Sequence, residues 1–211
     1  MESNKQFLLP TSYLAPIGYY AILLQNPICE IEQYEHFIKQ SIRNRCNIYG
    51  ANGKLTLSIP KQRKASSKTI IKDIKISYDY PWQKLHWKSI TSAYQSSAYF
   101  EFYEDFFIPF YQKKEKYLLD FNLKLQKIVF KCLQLEDTSV LSSIYQKETD
   151  KIDLRNSDFE IQKQEKYQEV FENNYGFITN LSILDLLLNL GPESSEYLFN
   201  VKCSNCQKTS N

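Results

Sequence analysis

The residues best suited to chemistry lie between Tyr13 and His86. Lys39, Arg43, Asn44 and Arg45 share one short run, KQSIRNR. Two guanidiniums and an ammonium among apolar neighbours suit an anion: arginine grips phosphate or carboxylate with two parallel bonds, and lysine adds a point charge. The same cations can instead balance Glu30, Glu32 and Glu35 just upstream as structural ion pairs, and spacing does not separate the two readings. His86, one of 2 histidines, follows Trp82 by one helical turn and sits beside Leu85. That placement suits a general acid or base tuned by burial. A core histidine satisfied by one hydrogen bond is the commoner outcome, and spacing alone favours it. His36, between an acidic and a basic run, is undetermined.

Other constellations carry less. Glu101, Glu104 and Asp105 could pair carboxylates for acid–base work, but acidic groups in a first helical turn also simply complement the helix dipole. Cys203-x-x-Cys206 is half a zinc site with no second half, so no metal is expected. There is no Gly-rich phosphate loop, GxSxG or HExxH, and 5 glycines leave no Rossmann or P-loop fingerprint. These absences remove most of the support for serine-hydrolase, nucleoside-triphosphatase and dehydrogenase readings. A net charge of +2 is no nucleic-acid coat, and Lys61–Lys68 (KQRKASSK) reads as a solvated loop, so no nucleic-acid partner is expected. No apolar run reaches the roughly 18 residues of a membrane span. The N-terminus lacks a signal-peptide pattern, so the expected location is cytoplasmic. Cofactor and oligomeric state are not indicated.

The elements that must position these residues are legible from periodicity. With 211 residues, 43% hydrophobic and 24% charged, the chain can bury a core. Residues 6–10 read as a strand stopped by Pro10, Ile17–Gln25 as a buried helix closed by Asn26-Pro27, and Ile28–Tyr34 as a strand. Residues 37–48 fit either a helix or a strand. Gly50–Gly53 is a turn. Lys54–Pro60 alternates, with Leu55, Leu57 and Ile59 facing in, and Ile70–Ile76 alternates as well. A helical period begins at Trp82, with Trp82, Leu85, His86, Ile90, Ala93 and Tyr94 on one face. Further helices are expected near Phe100–Tyr111, across Leu118–Cys132, and over Leu181–Leu190, the last capped by Ser182 with Asp185 in its first turn and stopped by Gly191-Pro192. Thr138–Tyr145 suits a strand. Residues 146–166 read as a polar surface loop or linker, and 202–211 as a disordered polar tail. The expectation is one α/β domain over residues 1–201: a mixed, mostly parallel sheet flanked by helices, with a helical C-terminal section.

Several ordered blocks resemble the WbqC-like protein family. They are Tyr13-Leu-Ala-Pro-Ile-Gly-Tyr-Tyr20, Lys39–Arg45 with Ile48, Leu55–Pro60, Trp82 with His86 followed by Tyr94 and Tyr99-Phe100, and Asn180–Leu188 with Gly191-Pro-Glu193. The last looks like the signature of a Bacteroidetes-type branch. Where many members open on Gln-Pro, this chain reads Leu9-Pro10. The resemblance implies a place in O-antigen or other surface-polysaccharide metabolism and transfer of a small acyl or aminoacyl group.

The combined expectation is a transferase acting on a sugar or nucleotide-sugar. Lys39, Arg43, Asn44 and Arg45 would hold an anionic substrate. His86 would move a proton, Trp82 would pack beside a sugar or base, and Tyr13 and Tyr19 would line the pocket entrance. The alternative is a non-catalytic scaffold of a polysaccharide assembly, presenting the aromatic run 99–111.

Overall fold

The computed structural model describes residues 6–63 and 68–204. The chain opens with β1 (Phe7–Pro10), α1 (Ile17–Gln25) and β2 (Cys29–Glu32). β1 and β2 pair in parallel, Phe7 opposite Cys29 through Pro10 opposite Glu32, so α1 is the crossover of a βαβ unit. α1 is buried from Ile17 to Leu23, as a crossover helix covered on both sides must be. Its close approach to the chain is set by Gly18: a Cβ there would stand 2.1 Å from the Phe159 carbonyl oxygen. Asn180 locks this contact, accepting from the Gly18 N–H at 3.0 Å and donating to the Phe159 carbonyl at 2.9 Å.

An antiparallel hairpin follows, β3 (Arg45–Gly50) with β4 (Gly53–Ser58). Then come three helices, α2 (Trp82–Tyr94), α3 (Phe100–Gln112) and α4 (Leu118–Cys132). The strands β5 (Val140–Leu141) and β6 (Ile152–Asp153) complete the main sheet, whose order is β5-β2-β1-β6 with every pair parallel. Last are β7 (Ile161–Lys163), the short α5 (Glu172–Tyr175), α6 (Ile183–Leu190), α7 (Ser194–Asn200) and β8 (Lys202–Cys203), the last pairing with β7. The architecture is therefore mixed α/β, a four-stranded parallel sheet flanked by helices with a helical C-terminal region.

Five sequence expectations change. Ile70–Ile76 is not a strand: Ile71–Asp73 forms a 3₁₀ turn. A 3₁₀ turn brings residues three apart to one side, so Ile71 and Ile74 face in together where strand alternation would have put them on opposite faces, and both are buried with Ile76. Leu55 does not face in: it is 40% exposed, because β3 packs on α2 and α6 while β4 is the outer strand and buries only Leu57. Leu85 likewise leaves the buried face of α2, which follows Trp82, His86, Ile90 and Ala93–Tyr94 at steps of four and three. The polar stretch 146–166 is more than a solvated connection. It supplies β6, where the Leu154 N–H donates to the Leu8 carbonyl at 2.8 Å, and it buries Leu154, Arg155 and Phe159. In the expected tail, Lys202 and Cys203 are ordered as β8, and the Cys203 thiol donates to the Gly18 carbonyl at 3.4 Å. Cys206 lies outside the described residues. Among the described residues no helix is long and apolar enough to cross a membrane.

Candidate functional site

The sheet runs from β1 to β2 and β5 in one direction and then returns to β6 on the other side of β1. The reversal places a topological switch between β1 and β6, and the carboxyl ends of the strands there are where open α/β sheets collect ligand-binding groups. In this protein those ends hold a dense buried polar layer: Thr11, Glu32, Glu35, Arg43, Asn122, Ser142 and Arg155.

Arg43 is 2% exposed. Its Nε and Nη2 reach the Glu35 carboxylate at 2.7 and 2.6 Å, and Nη2 also donates to the Arg155 carbonyl at 2.9 Å. Burial raises the Glu35 carboxyl's pKa despite the bonds and charge Arg43 sets against it. Arg155, just past β6, forks onto Asp153 at 2.9 and 2.6 Å and reaches Glu32 at 3.6 Å. At Asp153 burial works to raise the pKa, but the hydrogen bonds and charge of Arg155 outweigh it and hold the carboxyl below its usual range. Both guanidinium forks thus face carboxylates that the chain itself supplies. The amide of Asn122, on α4, donates to the Arg43 carbonyl at 2.8 Å and the Thr11 hydroxyl at 3.3 Å, while its buried Oδ1 has no partner among the described residues.

The loop after β1 links this layer to His86. The Tyr13 N–H donates to the Ile42 carbonyl at 2.9 Å, which fixes the loop against the residue before Arg43. The Tyr13 hydroxyl lies 3.0 Å from His86 Nδ1 and 3.0 Å from the Tyr111 hydroxyl. His86 also hydrogen-bonds the Ser58 backbone, a bond that favours the protonated ring and so runs from a ring N–H to the carbonyl. Nδ1 is then the acceptor, and Tyr13 donates to it. Burial lowers the His86 pKa to about 4, the Ser58 bond only partly opposing it, so the ring is neutral at physiological pH. Trp82 stands edge-on to His86 with ring centroids 5.0 Å apart, and its buried indole N–H has no partner among the described residues. Leu14, next to Tyr13, is held at φ 44°, a conformation that costs a leucine roughly 1 kcal/mol.

The predicted residues divide accordingly. Tyr13, His86 and Trp82 come together, with Tyr111 as a fourth member, and Arg43 is joined to them through Ile42 and Asn122. Tyr19 is buried and donates to the Pro10 carbonyl at 2.9 Å, so it braces the end of β1. The Asn44 amide donates to the Ile59 carbonyl at 2.9 Å, and Arg45 opens β3 opposite Ser58 with a buried Nε that has no partner among the described residues. Lys39 is exposed on a turn. His86 itself is only 6% exposed. Sequence reasoning missed Arg155, whose signal was a single arginine two residues after Asp153 in a stretch read as solvated. It also missed Glu169, whose partner Asp185 was read only as an acidic residue in the first turn of a helix.

The model of the WbqC-like protein family matches residues 11–171. The chain belongs to the WbqC-like protein family. The matched span contains Tyr13, Arg43, His86, Tyr111, Arg155 and Glu169. The curated relatives of this WbqC-like protein include "Uncharacterized protein Rv1507c" of Mycobacterium tuberculosis (strain ATCC 25618 / H37Rv). It is 22% identical over 229 residues, covering 92% of this chain and 97% of that protein. No solved structure matches the chain.

Proposed function

We propose that this WbqC-like protein is a cytoplasmic transferase of surface-polysaccharide or nucleotide-sugar metabolism, with its reaction centre in the loop after β1. One observation carries the reading. The strained loop at the carboxyl end of β1, beside the switch point, presents the Tyr13 hydroxyl to a neutral His86 and to Tyr111. A neutral imidazole that already accepts a hydrogen bond is ready to take a proton through Tyr13 from an acceptor hydroxyl. Trp82, whose buried N–H has no partner among the described residues, stands edge-on beside it. Lys39 and Arg45 supply the positive charge for an anionic donor, an acyl or aminoacyl carrier or a nucleotide-sugar.

The test is Tyr13→Phe, which keeps the ring and removes only the hydroxyl. Surface polysaccharide from cells bearing this variant should lack the modification seen with the natural protein, while the purified variant stays folded. Unchanged polysaccharide with folded protein refutes the reading.

A second reading, a non-catalytic partner-binding protein of a polysaccharide assembly, is favoured by a surface other than the expected one. Of the aromatic run, Phe100, Tyr103, Phe107 and Tyr111 are buried and Phe102 alone is widely exposed. The sheet edge is different: Val140, Leu141, Ile144 and Tyr145 are all exposed along and beyond β5. Co-purification of a polysaccharide-assembly protein that is lost in Ile144→Lys would support this reading over the first.

A further inference from the structure

Away from the β1 loop, an open groove of about 320 Å³ lies between the turn after α2, the chain before and into α5, and the last turn of α6. That volume is at the small end of the roughly 300–1,000 Å³ of ligand sites. Its polar wall is made of Ser96, Ser97, Gln168, Asn173, Asn189 and Glu169. Glu169 is the only ionisable side chain in that wall, and no cation stands among the lining residues. The groove therefore has nothing to neutralise a phosphate. Amides and hydroxyls are the groups that pair with a neutral ligand rich in hydroxyls, since each amide can both donate and accept.

Glu169 is the unusual member. It is 3% exposed, and its Oε2 accepts the Ile178 N–H at 3.1 Å. Its Oε1 is buried and receives no donor from the described residues. Behind it lies Asp185, fully buried, whose two oxygens accept the Tyr94 hydroxyl at 2.8 Å and the Tyr167 hydroxyl at 2.6 Å. Glu169 and Asp185 also hydrogen-bond each other. Two carboxyls can do so only if one keeps its proton. Asp185 already takes two phenol donors, so the proton belongs to Glu169. Burial first, then the charge of Asp185, push the Glu169 carboxyl up to about 8. Glu172 adds to this.

We propose that this groove binds a neutral monosaccharide unit, one of whose hydroxyls donates to Glu169 Oε1 while the amides of Gln168, Asn173 and Asn189 take the others. The site is separate from the Tyr13–His86 centre and does not depend on where transfer chemistry occurs. It adds a neutral sugar site, lined by none of the residues from which the sequence predicted a binding site. A hydroxyl donated to Oε1 favours the carboxylate form, so ligand binding releases a fraction of a proton near neutral pH.

The experiment uses the full chain and the methyl glycosides of glucose, galactose and mannose, with inorganic phosphate and uridine diphosphate as anionic controls. Binding is followed by saturation-transfer NMR and by calorimetry in two buffers of different ionisation enthalpy. At least one glycoside should bind with proton release. Asn173→Ala should weaken it by about tenfold, and Ser96→Trp, at an exposed position that fills the groove, should abolish it. Glu169→Gln should keep the fold and lose the proton release. No glycoside binding, binding unaffected by Ser96→Trp, or tighter binding of phosphate or uridine diphosphate than of any glycoside at the groove would overturn the proposal.

Discussion

The centre around His86 and the groove around Glu169 use similar parts to opposite effect. Each buries one titratable group against a hydrogen-bonding side chain, Tyr13 for His86 and Asp185 for Glu169, and in each burial dominates the shift: His86 falls to about 4 and Glu169 rises to about 8. Desolvation disfavours the charged form whichever sign it has, so both groups are neutral at physiological pH. The difference lies in completion. His86 has a partner on both ring nitrogens and is sealed, while Glu169 keeps one oxygen without a donor and borders open space. A complete set of bonds fixes the orientation of the His86 ring, and an oxygen left open to a donor beside a groove can meet a ligand.

The largest effect should come from the layer that supports the sealed side. Arg43→Ala leaves Glu35 buried without its bidentate partner, and breaking such a pair costs roughly 3–5 kcal/mol. Urea unfolding should show this as a lower midpoint. Arg43→Met with Glu35→Leu, which removes both charges, should recover most of the loss. If the single change costs less than about 1 kcal/mol, the layer is not a structural foundation and Arg43 regains standing as a substrate ligand.

The second effect separates the two regions by pH. For Glu169 the folded pKa, about 8, lies above the unfolded one, so the folded state binds more protons and stability falls as pH rises toward 8. For His86 the folded pKa, about 4, lies below the unfolded one, so stability rises from there up to the ordinary histidine range of about 6.5. Above that range only the Glu169 slope should remain. Stability should decline by about 1 kcal/mol between near-neutral and mildly alkaline pH, and Glu169→Gln should flatten the decline. A flat natural protein would mean that Glu169 is ionised in the folded state.

How far this contrast was readable in sequence follows from where the partners lie. The βαβ start, the hairpin turn and the long helices were legible because hydrophobic period, Pro and Gly act locally. Ser182 was legible as an N-cap for the same reason, and it accepts the Leu184 N–H at 3.3 Å. The buried pairs were not. Tyr13 meets Tyr111 and Tyr94 meets Asp185 across some ninety residues or more, and no spacing rule encodes such contacts. Arg43 could be assigned an acidic neighbour but not this one, because Glu30, Glu32 and Glu35 follow each other closely and only the turn after β2 selects Glu35. Arg155 was hidden by composition: its polar stretch hides a two-residue strand that owes its place to β1, not to its own propensity.

A smaller effect tests the relay itself. Tyr111→Phe removes one hydroxyl from the chain that ends at His86 and should cost about 1 kcal/mol, the net worth of a buried hydrogen bond. If Tyr111 is only structural, surface-polysaccharide modification should follow stability. If it polarises Tyr13, modification should fall more than the folded fraction does.

The smallest expected change in stability is at Lys39. Its side chain is exposed, and among the described residues it has no ion-pair partner, so Lys39→Ala should stay within about 0.5 kcal/mol of the natural protein. That makes it the cleanest probe of charge near the sealed centre, since any loss of binding cannot be blamed on folding. Titration with uridine diphosphate should weaken in Lys39→Ala and at raised salt, while glycoside binding at the Glu169 groove should not change. A lysine whose loss affects both ligands equally would mean that the two regions form one site, and an unchanged affinity for the anion would remove Lys39 from the reaction centre altogether.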